Sequence, residues 1–211
     1  MEKVRKILFY LIIILFSYGL IANVEHIVSI NKKYTYNFDD SIEISSIKSS
    51  LNTLQNDMEK IKKIENSLLD KNIINIYVQI LDDINRKMTS YDFINYKGNK
   101  KLKQKDLYQM IYDYGKLNST NLLNVYKKVA EVNPSLKADD LTWQIYTMTL
   151  SSNYIYQDLI NNYAYTNLNK TDEYTISSVL SLYEQKLNIV NMISKYVILT
   201  ETKVESSEVN G

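Results

Sequence analysis

A chain of 211 residues with 25 basic and 24 acidic side chains, no cysteine and one histidine excludes several classes at once. Balanced charge supplies no global field toward nucleic acid, and no nucleic-acid partner is expected. The missing thiols rule out a disulfide framework, a thiolate metal site and a lipid-bearing cysteine.

The first informative stretch is Glu2-Lys3-Val4-Arg5-Lys6 followed by Ile7 to Ala22, sixteen residues without a charge. A basic end before an apolar run reads as membrane targeting. Its length falls between a spanning helix of roughly 17 to 25 residues and a signal core of about 7 to 15. Residues 1–22 are therefore read as a membrane anchor or a signal peptide. Ser17 and Gly19 around Tyr18 offer small residues to a signal peptidase, and Ala22 offers a second cut. Lys3, Arg5 and Lys6 outweigh the flank of Glu25, His26, Lys32 and Lys33 mildly, which favours a cytoplasmic N-terminus. The rest of the chain is then expected outside the cytoplasm, membrane-anchored or secreted after cleavage. Removing Met1 to Ala22 takes away three basic and one acidic side chain, shifting the formal charge from +1 to −1.

Residues 23–40 read as a polar connector, 41–200 as a helical bundle domain and 201–211 as a polar disordered tail. Ile44, Ile47, Leu51, Leu54, Met58, Ile61, Ile64 and Leu68 alternate in steps of about three and four, close to a heptad seam. Asp40 or Ser41 can cap this helix. Ile73, Tyr77, Ile80 or Leu81, Ile84 and Met88 continue an apolar face beyond Asp70-Lys71-Asn72, in the same helix or a second one. The segment from Tyr96 to Asp106, with Gly98 and five lysines, reads as a loop. Leu107, Met110, Ile111, Tyr114 and Leu117 mark the next helix, and Leu122, Leu123, Tyr126, Val129 and Ala130 a short one after it. Asn133-Pro134 is a start signal for a helix carrying Leu141, Ile145, Met148, Ile155, Leu159 and Tyr163, with Ser152 on the same seam. Asn167 to Lys170 reads as a loop. Thr171 or Asp172 caps a last helix with Ile176, Leu180, Tyr183, Leu187, Val190 and Val197 on one face. No sustained two-residue alternation argues for a sheet, and four glycines and one proline leave few sharp turns. The expected class is all-α: an antiparallel helical bundle of about five to six helices following the N-terminal hydrophobic segment.

No residue set stands out as a catalytic, cofactor-binding or metal site, and no cofactor is expected. His26 flanks the apolar run rather than a pocket. Asp39-Asp40, Asp139-Asp140 and Asp172-Glu173 stand at expected helix starts, where acids complement the dipole. Asp82-Asp83 is the fourth such pair, and adjacent carboxylates on a helix diverge. Asn167, Asn169, Thr171 and Glu173 resemble the start of a calcium loop but lack its glycine and closing glutamate. Lys97, Lys100, Lys101, Lys103 and Lys105 read as a solvated loop, with anionic lipid or a cell-wall polyanion as the functional alternative. Trp143 is expected as a core or groove anchor. Asn118-Ser119-Thr120 and Asn169-Lys170-Thr171 fit the glycosylation acceptor pattern. The 19 tyrosines accompany abundant Ile, Asn and Lys and read as AT-rich codon usage.

Asn133-Pro134-Ser135-Leu136, Asp140, Ile145, Ser151, Tyr154 and Thr166-Asn167-Leu168-Asn169 together resemble the helix leading into the active site of lytic transglycosylases. That family's catalytic glutamate would fall at Tyr165, and its following glycine-rich segment is absent. The resemblance implies a catalytically dead relative that touches peptidoglycan. The reading favoured by the residues themselves is a non-enzymatic structural or protein-interaction module, tethered or exported. Its partners are the membrane, through the N-terminal segment, and a protein or a second copy met through a helical seam. The alternative is an extracytoplasmic ligand-sensing or peptidoglycan-binding helical domain, with a pocket lined by Tyr and Trp143.

Overall fold

The computed structural model describes residues 33–65, 68–117, 119–132, 139–164 and 172–208. The expectations for residues 1–22, His26, Asn133-Pro134, the 167–170 loop, both glycosylation asparagines and the Thr171 cap lie outside them. Helix accounts for 81% of the structure, so the class is all-α despite one small sheet. In chain order come β1 (Lys33–Asn37), α1 (Ile42–Lys62), α2 (Lys71–Ser90), a 3-10 turn (Phe93–Asn95), β2 (Asn99–Lys103) and α3 (Gln104–Lys116). There follow α4 (Ser119–Val132), α5 (Asp139–Ala164) and α6 (Asp172–Glu208).

Of the two candidate caps, Ser41 starts α1: its Oγ accepts from the Ile44 N–H at 3.1 Å. Glu43 in the first turn and Lys60 and Lys62 in the last oppose the helix dipole favourably. The six seam residues from Ile44 to Ile61 are all buried. The seam then stops, because α1 ends at Lys62 and a separate α2 starts at Asp70, whose carboxylate accepts from the Asn72 N–H at 2.8 Å. This break shifts the phase. Leu68 is consequently 56% exposed and Leu69 takes the buried place expected of it. In α2 the core face is Ile74, Tyr77, Leu81, Ile84 and Met88, with Ile73 and Ile80 only partly covered.

Helix α6 is the hub, packing against α1, α3, α4, α5 and β1. Ile176, Leu180, Tyr183, Leu187, Val190 and Val197 are all buried as the spacing predicts, and so are Val179, Leu182 and Ile193 between them. Burial on several sides requires a helix apolar nearly all round. The helix also runs on to Glu208, past the expected domain boundary at residue 200.

Helix direction within the bundle departs from a simple up-and-down arrangement. Gln55 meets Asn85 and Lys62 meets Asp82, so α1 and α2 are antiparallel. Ser152 meets Gln185 and Asp158 meets Tyr174, so α5 and α6 are antiparallel as well. Glu43 pairs with Ser177, whereas Ser50 meets Asn188 and Asn191 further along. Both sequences ascend together, so α1 and α6 lie parallel, a correction to the all-antiparallel expectation. Parallel packing is available here because 109 residues of chain, 63 to 171, separate the two helices and can return to the starting end.

The connector and the lysine loop also need correction, since together they form an antiparallel ribbon with Lys33 opposite Lys103 and Asn37 opposite Asn99. Tyr34 and Tyr36 point into the core with Phe38, alternating with exposed Lys33, Thr35 and Asn37. Gly98, at φ +61°, makes the left-handed turn entering β2, and its carbonyl accepts from the Phe38 N–H at 3.0 Å. The alternation spans too few residues to register as a strand, and its pairing partner lies far along the chain.

Since the α1 seam is filled within one chain, it is not free to serve as a self-association surface. Leu54→Ala should cost about 2 to 5 kcal/mol in urea unfolding, and the exposed Asn52→Ala within about 0.5 kcal/mol. The thermal midpoint of wild type should not change with protein concentration through this seam.

Candidate functional site

Three features could carry function: a polar cluster around Asp113, an open groove on α6 and the outer face of α5. In the first, Asp113 of α3 is nearly buried and accepts from the Tyr91 hydroxyl, while Lys87 Nζ of α2 lies 3.2 Å away. Burial alone would raise its pKa, but hydrogen bonds from Tyr91, Gln109 and Lys87 and the charge of Lys87 outweigh that and hold it below the usual carboxylate range. Tyr183 of α6 stacks edge-on against Tyr91 at 5.8 Å and donates to the Met110 carbonyl at 2.6 Å. Lys186, one turn on and 1% exposed, donates to the Leu117 carbonyl at the end of α3 at 3.3 Å and lies over the Tyr114 ring at 5.1 Å. A cation there complements the C-terminal end of α3. A cavity of about 300 Å³ adjoins this cluster, lined by Arg86, Lys87, Asp113, Lys116 and Lys186 among others. The hydrogen bonds described here bind α2, α3 and α6 to one another, so the cluster reads first as a structural tie.

The second feature is a groove of about 650 Å³ between α1 and α5 along α6. Met148, Met192, Ile198 and Leu199 line it together with Asp57, Lys60 and Lys195. Methionine adapts its shape, which suits such a surface to varied apolar contacts.

The third feature is α5. Ile145, Ser152 and Leu159 are its buried line, with the Ser152 hydroxyl donating to Gln185 Oε1 at 2.7 Å. Trp143, Tyr146, Leu150 and Tyr154 fall within about 80° of one another on the opposite side, at 100° per residue. All four are exposed, Trp143 at 64% and Tyr154 at 76%. No charged residue occurs from Leu141 to Gln157. A helix apolar on both faces is ordinarily covered on both. The expectation that Trp143 anchors a core or lines a pocket is therefore corrected: it projects outward, its ring 6.0 Å from Tyr146.

Other sequence candidates fall into ordinary places. Asp82 pairs with Lys62 at 3.2 Å and Asp83 with Arg86 at 2.6 Å, both in the open, where such pairs contribute little. Asp139 and Asp172 begin α5 and α6. Lys97, Lys100, Lys101, Lys103 and Lys105 are exposed along and beside β2. Among the described residues no cluster of three or more acidic, His or Cys side chains is placed to hold a metal ion, and no helix is long and apolar enough to cross a membrane. The Asp113 cluster and the α5 face had no sequence signal of their own. The first joins three helices, and the second hides behind a stripe of equal apolarity on the same helix.

No family model, curated protein or solved structure matches this chain.

Lys186 gives the cluster a pH signature. Burial pulls its pKa from the ordinary lysine value down to about 8. Unfolding restores the ordinary value, so from about pH 8 upward the unfolded chain binds more protons and stability rises with pH. Burial raises the hydroxyl pKa of Tyr77, Tyr91 and Tyr183, so stability from these groups is present below about pH 10 and lost above it. The urea midpoint should therefore climb between about pH 8 and 10, by an amount on the order of 2 kcal/mol, and then fall. Lys186→Met should flatten the climb and leave the fall.

Proposed function

We propose that this chain is a non-enzymatic protein-interaction module, held at a membrane or exported by residues 1–22, that presents the outer face of α5 to a partner helix. The single observation supporting this is the exposed, uncharged stripe of Trp143, Tyr146, Leu150 and Tyr154. Large apolar side chains spaced at i, i+3, i+7 and i+11 are what a helix-on-helix contact uses as anchors. Trp and Tyr also bring large area at small entropic cost. The bundle, with α1 parallel and α2 and α5 antiparallel to α6, acts as the rigid support.

Ligand sensing is the second reading, favoured by the cavity beside Asp113 and Lys186. Its lysines and arginine would select a small anion, and binding would raise the thermal midpoint in proportion to the logarithm of ligand concentration.

Two measurements test the principal reading. In membranes of its own host the full chain should resist carbonate extraction if residues 1–22 anchor it. A soluble species starting at Leu20 or Asn23 would replace the anchor with export, and the intact chain in the cytosol would refute both. A photoreactive side chain at Tyr154 should cross-link one protein, and Trp143→Ser together with Leu150→Ser should abolish the adduct while shifting stability by no more than about 0.5 kcal/mol each. An adduct indifferent to these changes would remove α5 as the contact surface. An adduct with the chain itself would make the partner a second copy.

A further inference from the structure

We infer that the lysine face of the β-ribbon docks on anionic lipid headgroups of the bilayer that Ile7 to Ala22 enters, a proposal that rests on the tethered reading above. Side chains on paired strands at directly opposed positions share a face. Lys33 opposes Lys103 and Thr35 opposes Lys101, and these positions are exposed while Tyr34 and Tyr36 turn inward. Lys105 follows at the start of α3.

Like charges directly opposite one another in a ribbon are destabilising. Some exposed cations elsewhere on this domain pair with a carboxylate: Lys60 with Asp57, Arg86 with Asp83, Lys128 with Glu131. Among the described residues no carboxylate forms an ion pair with Lys33, Lys101, Lys103 or Lys105. The ribbon therefore concentrates cationic charge without an internal counterion, and an external anionic surface is what offsets it.

Position selects which surface. Lys33 follows Ala22 by eleven residues, a span of at most about 40 Å when fully extended. The ribbon is the first described element after the apolar run, so a tether confines it near headgroups, within reach of a field that decays over about 10 Å. Each lysine brought to such a surface strengthens association by about fivefold.

The chain has no cysteine, so one label can be placed cleanly. The full chain carrying Asn99→Cys, on the outer face beside these lysines, is labelled with a fluorophore and reconstituted into vesicles bearing a headgroup quencher. Phosphatidylcholine vesicles with phosphatidylglycerol should quench the label. Phosphatidylcholine alone, high salt, or the triple change Lys33→Gln, Lys101→Gln and Lys103→Gln should abolish quenching, and a label at Asn52→Cys on α1 should stay unquenched. The triple variant should unfold at equal or higher urea concentration, since the repulsion is gone, which separates lost docking from lost folding. Equal quenching in neutral vesicles, or quenching indifferent to the lysines, would overturn the proposal. So would polyphosphate in solution shifting the label at least as strongly as anionic vesicles, which would assign the face to a soluble polyanion. Failure of the tether reads separately: the chain would no longer float with neutral vesicles at high salt, while lysine-dependent binding to anionic vesicles would remain.

Discussion

The burial of α6 is the constraint on which the other elements depend. A helix with Val179, Leu180, Leu182, Tyr183, Leu187, Val190 and Ile193 all removed from solvent cannot be satisfied by a single neighbour. Helices α1, α3, α4 and α5 and the ribbon each cover part of it, and α2 joins through Tyr77, whose hydroxyl donates to the Val190 carbonyl at 2.8 Å and lies 2.7 Å from Ser194 Oγ. A polar side chain buried on α6 is served at such a contact as well: Lys186 reaches the carbonyl of Leu117 at the end of α3. Because a buried group left unpaired costs more than a made hydrogen bond gains, these links fix the register of each neighbour along the hub.

Tyrosine does much of this fixing. Tyr36 and Phe38 touch at 4.9 Å, Phe38 and Tyr96 at 4.7 Å, Tyr96 and Phe93 at 5.5 Å, and Phe93 and Tyr183 at 5.4 Å. From Tyr183 the chain of rings continues to Tyr114 and on to Tyr156 of α5. Tyr156 lies so close to Gly115 that a Cβ there would meet its hydroxyl. Mixed edge and tilted geometries of this kind add to the area each ring buries. Whatever codon usage supplied these residues, the fold uses several of them to connect the ribbon, the 3-10 turn and three helices.

What the sequence made legible follows from the range of the signal. Ile44 to Ile61 and Ile176 to Val197 could be assigned because helical periodicity is local, and Ser41 because a cap acts within its own turn. Leu68 could not be placed, since the helix ends at Lys62, before the Asp70-Lys71-Asn72 break that the sequence suggested. Tyr34 and Tyr36 looked like connector because their strand partners, Leu102 and Lys100, are 68 and 64 residues away. Trp143 was misassigned for a different reason: a large apolar side chain ordinarily favours burial, but on α5 both faces are apolar, so the pattern could not say which one the bundle takes. The lysines were recognised as exposed, yet only pairing across the ribbon brings Lys33 to Lys103.

The parallel pairing of α1 with α6 bears on how the chain comes to be folded at all. Glu43 and Ser177 are 134 residues apart, and at roughly 5 to 20 residues per second the ribosome takes on the order of ten seconds to deliver the second after the first. Through that interval the six apolar side chains of α1 have α2 for company but not the hub. Nascent α1 is thus a natural client for a chaperone or holdase. A chain truncated before α6 should expose that surface permanently and be a ready substrate for proteolysis.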